Sequence, residues 1–513
     1  MELNMQKRLK KVLPCLFCAV LTGMGTGGVV YLFRGLASLT VVLSGKVFGA
    51  VRENPILIPV LIVGAAAIGI LASLIVRWEP DVAGGGIPSS VAFLRGFVTM
   101  RWLRNIIGTA VSATLTYAAG VPLGTEGPCV QLGTAVGRGT VSASGELEVA
   151  LERYSMTGGA CAGFAAATGA PLTGILFALE EAHKKITPTL LVMAAVSVFT
   201  GSCTLDFLNL LTGGTHPLFD IDCVDALKFT SLWFPFAIGI VCGLFAVIFT
   251  VLHTLVGKFL KKKCKKIPSA VKFALVFAVS AAIGFFSDSF MGTGHDVAQN
   301  LISGNAAVRL LLTVLAVRAV LFIVSNNIGV TGGAFLPNLA FGALLGMLCA
   351  VLGQRLGAVD AGLTTLSVTL GMASFLGAVS KTPLMAIAFG IEALGGGSNV
   401  PAFVLATVTA YLVMEFSGVK EFADVAIEAK LSRACHTPSE TGKFYTVTVA
   451  DGSFADDRRY DDLLLPYGVR IISENETLHS GDTVTLCFTV EKTEGIVETL
   501  YGIFGSKAEI KKQ

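Results

Sequence analysis

A single carboxylate, Glu126, stands in Gly124-Thr125-Glu126-Gly127-Pro128, between helix-breaking residues in an otherwise apolar, almost uncharged stretch. An ionisable group at membrane depth is expensive, so it marks a functional site by default. Glycine and proline around it stop a helix inside the membrane, which is tolerated only where bare backbone lines a cavity or is buried in protein. The chemistry this allows is a titratable gate beside exposed backbone amides. Three further segments belong to the same reading: Gly84-Gly85-Gly86-Ile87-Pro88, Gly332-Gly333-Ala334-Phe335-Leu336-Pro337, and the run ending Glu180-Glu181. The glycine segments each precede an expected helix start, so free amides and positive helix ends point at one spot and make an anion seat. No fixed cation is needed there. A lysine or arginine in the path would hold the anion too tightly for release.

The elements that must position these residues are membrane spans. The 513-residue chain is 53% hydrophobic and 14% charged, against about 25% charged in soluble domains, and its mean hydropathy is +0.74. It reads as an integral, multi-pass protein whose surroundings are the lipid bilayer of a cell membrane. Uncharged runs of bilayer length occur at Asn54–Val76 and Phe229–Gly257. Others, such as Met156–Leu179 and Leu366–Ile391, are interrupted by glycine and proline, the pattern of discontinuous helices. Basic Lys7, Arg8, Lys10 and Lys11 lead into an apolar stretch at Val12–Phe33, read as a retained first membrane helix rather than a signal peptide. These charges, and the lysines at 261–263, 265 and 266, place both segments in the cytoplasm. A lysine run between two apolar spans has no use for nucleic acid. The eleven cysteines lack metal-site spacing apart from Cys15-x-x-Cys18, which lies in an apolar stretch, so they read as small buried hydrophobes.

The chain also repeats itself. Ala170-Pro171-Leu172-Thr173-Gly174-Ile175-Leu176-Phe177-Ala178-Leu179-Glu180 matches Thr382-Pro383-Leu384-Met385-Ala386-Ile387-Ala388-Phe389-Gly390-Ile391-Glu392 (383 − 171 = 212). Pro128-x4-Gly133-x3-Gly137 matches Pro337-x4-Gly342-x3-Gly346 (337 − 128 = 209). One duplication explains both, with halves at about 12–215 and 229–430. Broken helices in corresponding places of two halves point to a transport site at the bilayer midplane. Because Glu180 and Glu392 occupy the same place in each half, they are expected to make helix-terminus contacts.

After about Arg433 the character changes. Residues 438–513 hold thirteen acidic and eight basic residues, a net charge of −5, and no bilayer-length apolar run. Phe444–Val449 and Thr483–Val490 read as strands and Thr493–Phe504 as a helix. The expected architecture is an all-α polytopic membrane domain at 1–435 and a small soluble α/β domain at 436–513.

The segments G-x-G-I-P, G-x-E-G-P and G-G-x-F-x-P, in that order and with the internal repeat, resemble the CLC family of chloride channels and chloride/proton antiporters over roughly residues 12–430. The resemblance implies an inverted repeat of tilted, discontinuous helices, a homodimer with one pathway per subunit, chloride and protons as substrates, and no cofactor. By position, Glu126 looks like the external gating glutamate, occupying an anion site when deprotonated and swinging aside when protonated. Its plainer reading is a helix-start glutamate stabilised by the dipole. Glu181 matches the internal proton-transfer glutamate that antiporters keep and channels usually replace; otherwise it is a solvated helix-end carboxylate near His183, Lys184 and Lys185. Ala334 and Phe335 match positions whose amides bind the central anion, and Gly85, Gly86, Ile87 and Gly127 belong to the same seat. The tail resembles the C-terminal lobe of potassium-conductance regulator proteins (a TrkA-C-like domain), through its first strand, Leu463–Val469 and Leu478–Val484, which implies a regulatory role with a possible small-molecule ligand.

Two departures stand out. Gly85 occupies a place where the family often has serine, and Phe422, aligned through Gly418–Leu431, one where it often has tyrosine. Two neutral hydrogen bonds, each about 0.5–1.5 kcal/mol net, are therefore missing from the anion. Exchange remains the leading reading, a passive gated chloride channel the alternative, and a fluoride or other anion exporter a weaker one. A membrane enzyme is disfavoured: there are six histidines and none in a His-x-x-x-His spacing, with His253 and His295 singletons near apolar segments. Relaxed anion selectivity follows from the missing hydroxyls. A Gly85→Ser, Phe422→Tyr double variant is expected to change nitrate/chloride competition and proton-to-anion stoichiometry in liposomes, and unchanged values would refute the idea.

Overall fold

The computed structural model describes residues 2–94, 100–144, 149–183, 188–213, 218–221, 227–304 and 306–425, together with segments 443–449, 470–475, 484–490 and 509–512. The first half runs α1 (Glu2–Glu53), α2 (Ile58–Trp78), α3 (Ile87–Leu94), α4 (Trp102–Ala118), α5 (Glu126–Ser144), α6 (Val149–Thr168), α7 (Pro171–Phe177) and α8 (Pro188–Thr212). The second runs α9 (Trp233–Lys263), α10 (Ser269–Gly284), α11 (His295–Ser303), α12 (Val308–Ile328), α13 (Phe335–Arg355), α14 (Thr364–Val379), α15 (Pro383–Ala393) and α16 (Val400–Phe416). Among the described residues, eight helices are long and apolar enough to cross a membrane. The expected breaks fall where the backbone chemistry demands: Gly169 adopts φ +68° ahead of Pro171, and Lys381 φ +54° ahead of Pro383.

The first helix corrects the sequence reading. It does not stop near Phe33 but continues to Glu53. Arg34, the charge that follows Phe33, is accommodated because its guanidinium donates to the Ala166 carbonyl at 2.8 Å.

The duplication is visible as reciprocal bonding. Gly124 and Gly333, 209 residues apart (333 − 124), form an isolated antiparallel bridge in which each N–H donates to the other's carbonyl at 2.7 Å. A residue bonded reciprocally to its own repeat equivalent lies on a two-fold axis. The same symmetry governs the starts of the short helices α7 and α15. Glu180 accepts from the amides of Leu384 and Met385 at 3.0 and 2.7 Å, and Glu392 accepts from those of Leu172 and Thr173 at 2.8 Å. Each half thus caps a short helix of the other with a carboxylate, the helix-terminus role expected of this pair. Within the halves, α5 and α6 meet backbone to backbone at Gly133 and Gly159, as α13 and α14 do at Gly342 and Gly371.

The tail contributes β1 (Lys443–Val449), β2 (Arg470–Asn475), β3 (Val484–Val490) and β4 (Glu509–Lys512), in the order β2-β3-β1-β4 with antiparallel pairing throughout. β1 and β3 fall on the two strands read from sequence; β2 and β4 were not anticipated, being short and polar. The helix expected at Thr493–Phe504 lies outside the described residues.

The motifs approach one another with no room for side chains. A Cβ on Gly127 would collide with the Gly85 carbonyl oxygen and stand 2.7 Å from Gly333 Cα. Gly127→Ala is therefore expected to yield no monodisperse protein in detergent gel filtration, whereas Gly28→Ala, with nothing within 4 Å of its Cβ, behaves as the parent. A well-folded Gly127→Ala variant would contradict this packing.

Candidate functional site

Gly84 and Gly86 carry φ of +91° and +74°, left-handed values that side chains rarely adopt, and these turn the chain sharply into α3. The Gly84 amide donates to the Gly329 carbonyl at 3.2 Å, and Gly332 donates back to Gly84 at 3.3 Å. The first motif is thereby tied to the approach to α13, and α3, α5 and α13 begin around one point.

Beside that point lies a cavity of ≈ 40 Å³. About 10–15 Å³ of such space holds one water, so it has room for a small dehydrated ion and a water or two. Gly85, Ile87 and Pro88 form one wall, Ala334, Phe335 and Asn338 another, and Glu181, Ser380 and Phe422 close it. Residues from three of the four sequence segments thus converge with Phe422, whereas Gly86 and the whole of Gly124–Pro128, Glu126 and Gly127 included, are not on this wall. Among the described residues the amides of Ala334 and Phe335 have no backbone acceptor. The Ile87 amide is already committed to the Gly85 carbonyl at 2.8 Å, so Ile87 serves as wall and not as a free donor. The Phe335 ring packs edge-on against Phe164 and Phe389, with centroids 5.0 and 5.1 Å away. Its amide can face the cavity while its ring holds the helix start in place.

Glu126 is 1% exposed. The Thr125 hydroxyl donates to Oε1 at 2.9 Å, while Oε2 is buried with no hydrogen-bond partner. The amides of Glu126 itself and of Leu336 face the carboxylate, so the first turns of α5 and α13 present their positive ends to it. Gly124 makes space for this pose, since a Cβ there would sit 2.9 Å from Oε2. The Tyr117 hydroxyl braces the same turn by donating to the Gly124 carbonyl at 2.9 Å. On the other side, Glu181 is 6% exposed and sits in a π-helical turn, Ala178–Ala182, a local irregularity often found at functional positions.

The two halves are not equivalent in use. The counterpart of the first motif, Gly292-Thr293-Gly294, is filled by Arg318 of α12, fully buried, whose guanidinium donates to the carbonyls of Ser289, Met291 and Gly292 at 3.2, 2.8 and 2.8 Å. Sequence reasoning passed over Arg318, Tyr117 and Asn338, whose Oδ1 is buried without a partner on the cavity wall. A lone arginine in an apolar span was the one signal that could have found the first. It also took His253 for an isolated packing residue. His253 is 4% exposed, its ring lies 4.6 Å from that of Phe422, and its Nε2 lies 3.1 Å from Asn326 Oδ1.

Duplicated halves, broken helices and helix starts converging on a small cavity define a class of transport-type membrane protein. The family profile for voltage gated chloride channels matches residues 67–415, more than half of the chain, and this protein belongs to that family, the CLC proteins. Two curated relatives are the H(+)/Cl(-) exchange transporters ClcA of Salmonella typhi and Salmonella typhimurium, each 26% identical over 438 residues, covering 84% of this chain and 91% of theirs. Among solved structures, a slow cyanobacterial Cl-/H+ antiporter superposes with a TM-score of 0.76 at 21% identity, over 82% of this chain and 99% of that one. A CLC-type fluoride/proton antiporter gives 0.64 at 21% identity, over 79% and 96% of the two chains.

Proposed function

We propose that this chain exchanges chloride for protons across a cell membrane, with Glu126 as the external gate and Glu181 as the internal proton-transfer group. The observation that carries the reading is the placement of two buried carboxylates about one set of helix-start amides. Glu126 has its charge against the amides of α5 and α13, where a small anion would otherwise be stabilised. Deprotonated, it is a tethered competitor for the seat; protonated, it loses that attraction and yields to chloride. Glu181 on the cavity wall offers protons a route from the other side. An acidic residue there favours exchange over the passive channel, which has no need of it.

In this reading Gly85, Gly86, Ile87, Gly127, Ala334, Phe335 and Phe422 frame the anion path, with donation left chiefly to the Ala334 and Phe335 amides. No cofactor and no enzymatic step are required, since binding, swinging and proton transfer suffice. Both termini face the cytoplasm, on the strength of the basic residues near the N-terminus and after α9. The protein works as a homodimer, as family resemblance implies. The antiparallel strands of the tail suit a small TrkA-C-like α/β domain, which would bind a small regulator and act on the transport domain it follows.

The test is purified protein in liposomes under a chloride gradient, with anion and proton movement recorded together. Uphill proton pumping is expected from the parent. Glu126→Gln should abolish coupling, and Glu181→Gln should stop proton movement while sparing anion flow. Chloride flux with no proton movement in the parent would overturn exchange and leave the channel.

A further inference from the structure

We propose that Asn326, held by His253, supplies the side-chain hydrogen-bond donor to the anion seat that Gly85 does not. The inference rests on the reading of the cavity as an anion seat and concerns which side chains complete it.

The Asn326 amide has two ends with different fates. Its Oδ1 accepts from His253 Nε2 at 3.1 Å, so this imidazole nitrogen carries the proton and the amide plane is fixed. Its Nδ2 has no hydrogen-bond partner among the described residues and points toward the first motif, 3.7 Å from where a Cβ on Gly85 would stand. A serine at 85 would carry its hydroxyl one bond beyond that Cβ. The amide NH2 therefore stands beside the space a hydroxyl would fill, and presents two N–H donors where a hydroxyl presents one. Asn326 stands just behind the cavity edge that Gly85 forms rather than on the wall itself, with Pro88 Cδ 3.5 Å from the same Cβ point, and the missing side chain at Gly85 leaves that edge thin.

The mounting is rigid. The next residue, Asn327, donates from Nδ2 to the His253 carbonyl at 3.1 Å and to the Ile323 carbonyl at 2.9 Å, and packs against Gly257, where a Cβ would collide with its Oδ1. Two consecutive asparagines thus lock α12 to α9, one through backbone and one through the imidazole. His253 is further clamped by Phe422, which itself lines the cavity. His253 is the positioning residue and Asn326 the ligand. The Nδ1 of His253 is buried without a partner, an uncompensated acceptor that a purely structural histidine would rarely keep. Of the two hydroxyls absent from the seat, the one lost at Gly85 is thereby replaced from another helix, while the one lost at Phe422 is not.

Chloride titrated calorimetrically into the full-length detergent-purified protein tests this. Asn326→Leu is expected to weaken chloride binding by about 3- to 10-fold, the span of one neutral hydrogen bond. Asn326→Asp, which keeps the acceptor for His253 but turns a donor into an anion, should weaken it at least as much and guards against misfolding of the leucine variant. Gly85→Ser should restore most of the loss in the Asn326→Leu background, a larger gain than the same substitution gives in the parent. His253→Phe should behave as Asn326→Leu does, and His253→Gln, which retains an N–H donor, should bind as the parent. Parent-like affinity in Asn326→Asp, or an equal effect of Gly85→Ser in both backgrounds, overturns the proposal. Absence of chloride binding by the parent would instead overturn the transport reading, and this inference with it.

Discussion

The structure depends on a close approach of backbone to backbone at its centre. Gly124 and Gly333 exchange hydrogen bonds, and Gly85, Gly86 and Gly127 crowd against them with no side chains between. That contact brings the first turns of α3, α5 and α13 together, so their positive ends face a common space, where the Ala334 and Phe335 amides have no backbone acceptor. In a low-dielectric interior, orphan amides are costly unless something negative satisfies them. The chain sets a negative group of its own there, the buried Glu126 carboxylate, faced by its own amide and that of Leu336. In the proposed exchange, a substrate ion and this tethered carboxylate compete for one set of donors.

Symmetry and its breaking are both used. The reciprocal bridge and the paired caps, Glu180 on α15 and Glu392 on α7, hold the two halves in register, and the Arg52–Asp288 ion pair at 2.7 Å adds a further link between them. Yet Arg318 plugs the second half's counterpart of the first motif with a fully buried guanidinium. The duplication builds the frame, and a single charged side chain decides which of the two equivalent places stays open.

Much of this was legible in sequence because the decisive groups are glycines, prolines and carboxylates in an apolar background. Gly-Pro punctuation marks the helix starts whatever the tertiary context, and the offsets of 212 and 209 residues expose the duplication. The caps of Glu180 and Glu392 followed from their equivalent places. What escaped depends on contacts between distant, individually unremarkable positions. Nothing local pairs His253 with Asn326, 73 residues away, and nothing local shows that Arg34 is absorbed by a carbonyl of α6, which is why α1 runs 52 residues. The freedom of the Ile87 amide was overestimated for the same reason: a glycine turn can satisfy its own donors, and this one does.

The central claim is that the helix-start amides bind a negative ion for which Glu126 is a substitute. Crystals grown in bromide report this directly through anomalous scattering. The account predicts a bromide beside the amides of Ala334 and Phe335 in the parent, and in Glu126→Gln a further bromide where the carboxylate had been. No bromide beside those amides, or an unchanged set of ions in the variant, would contradict it.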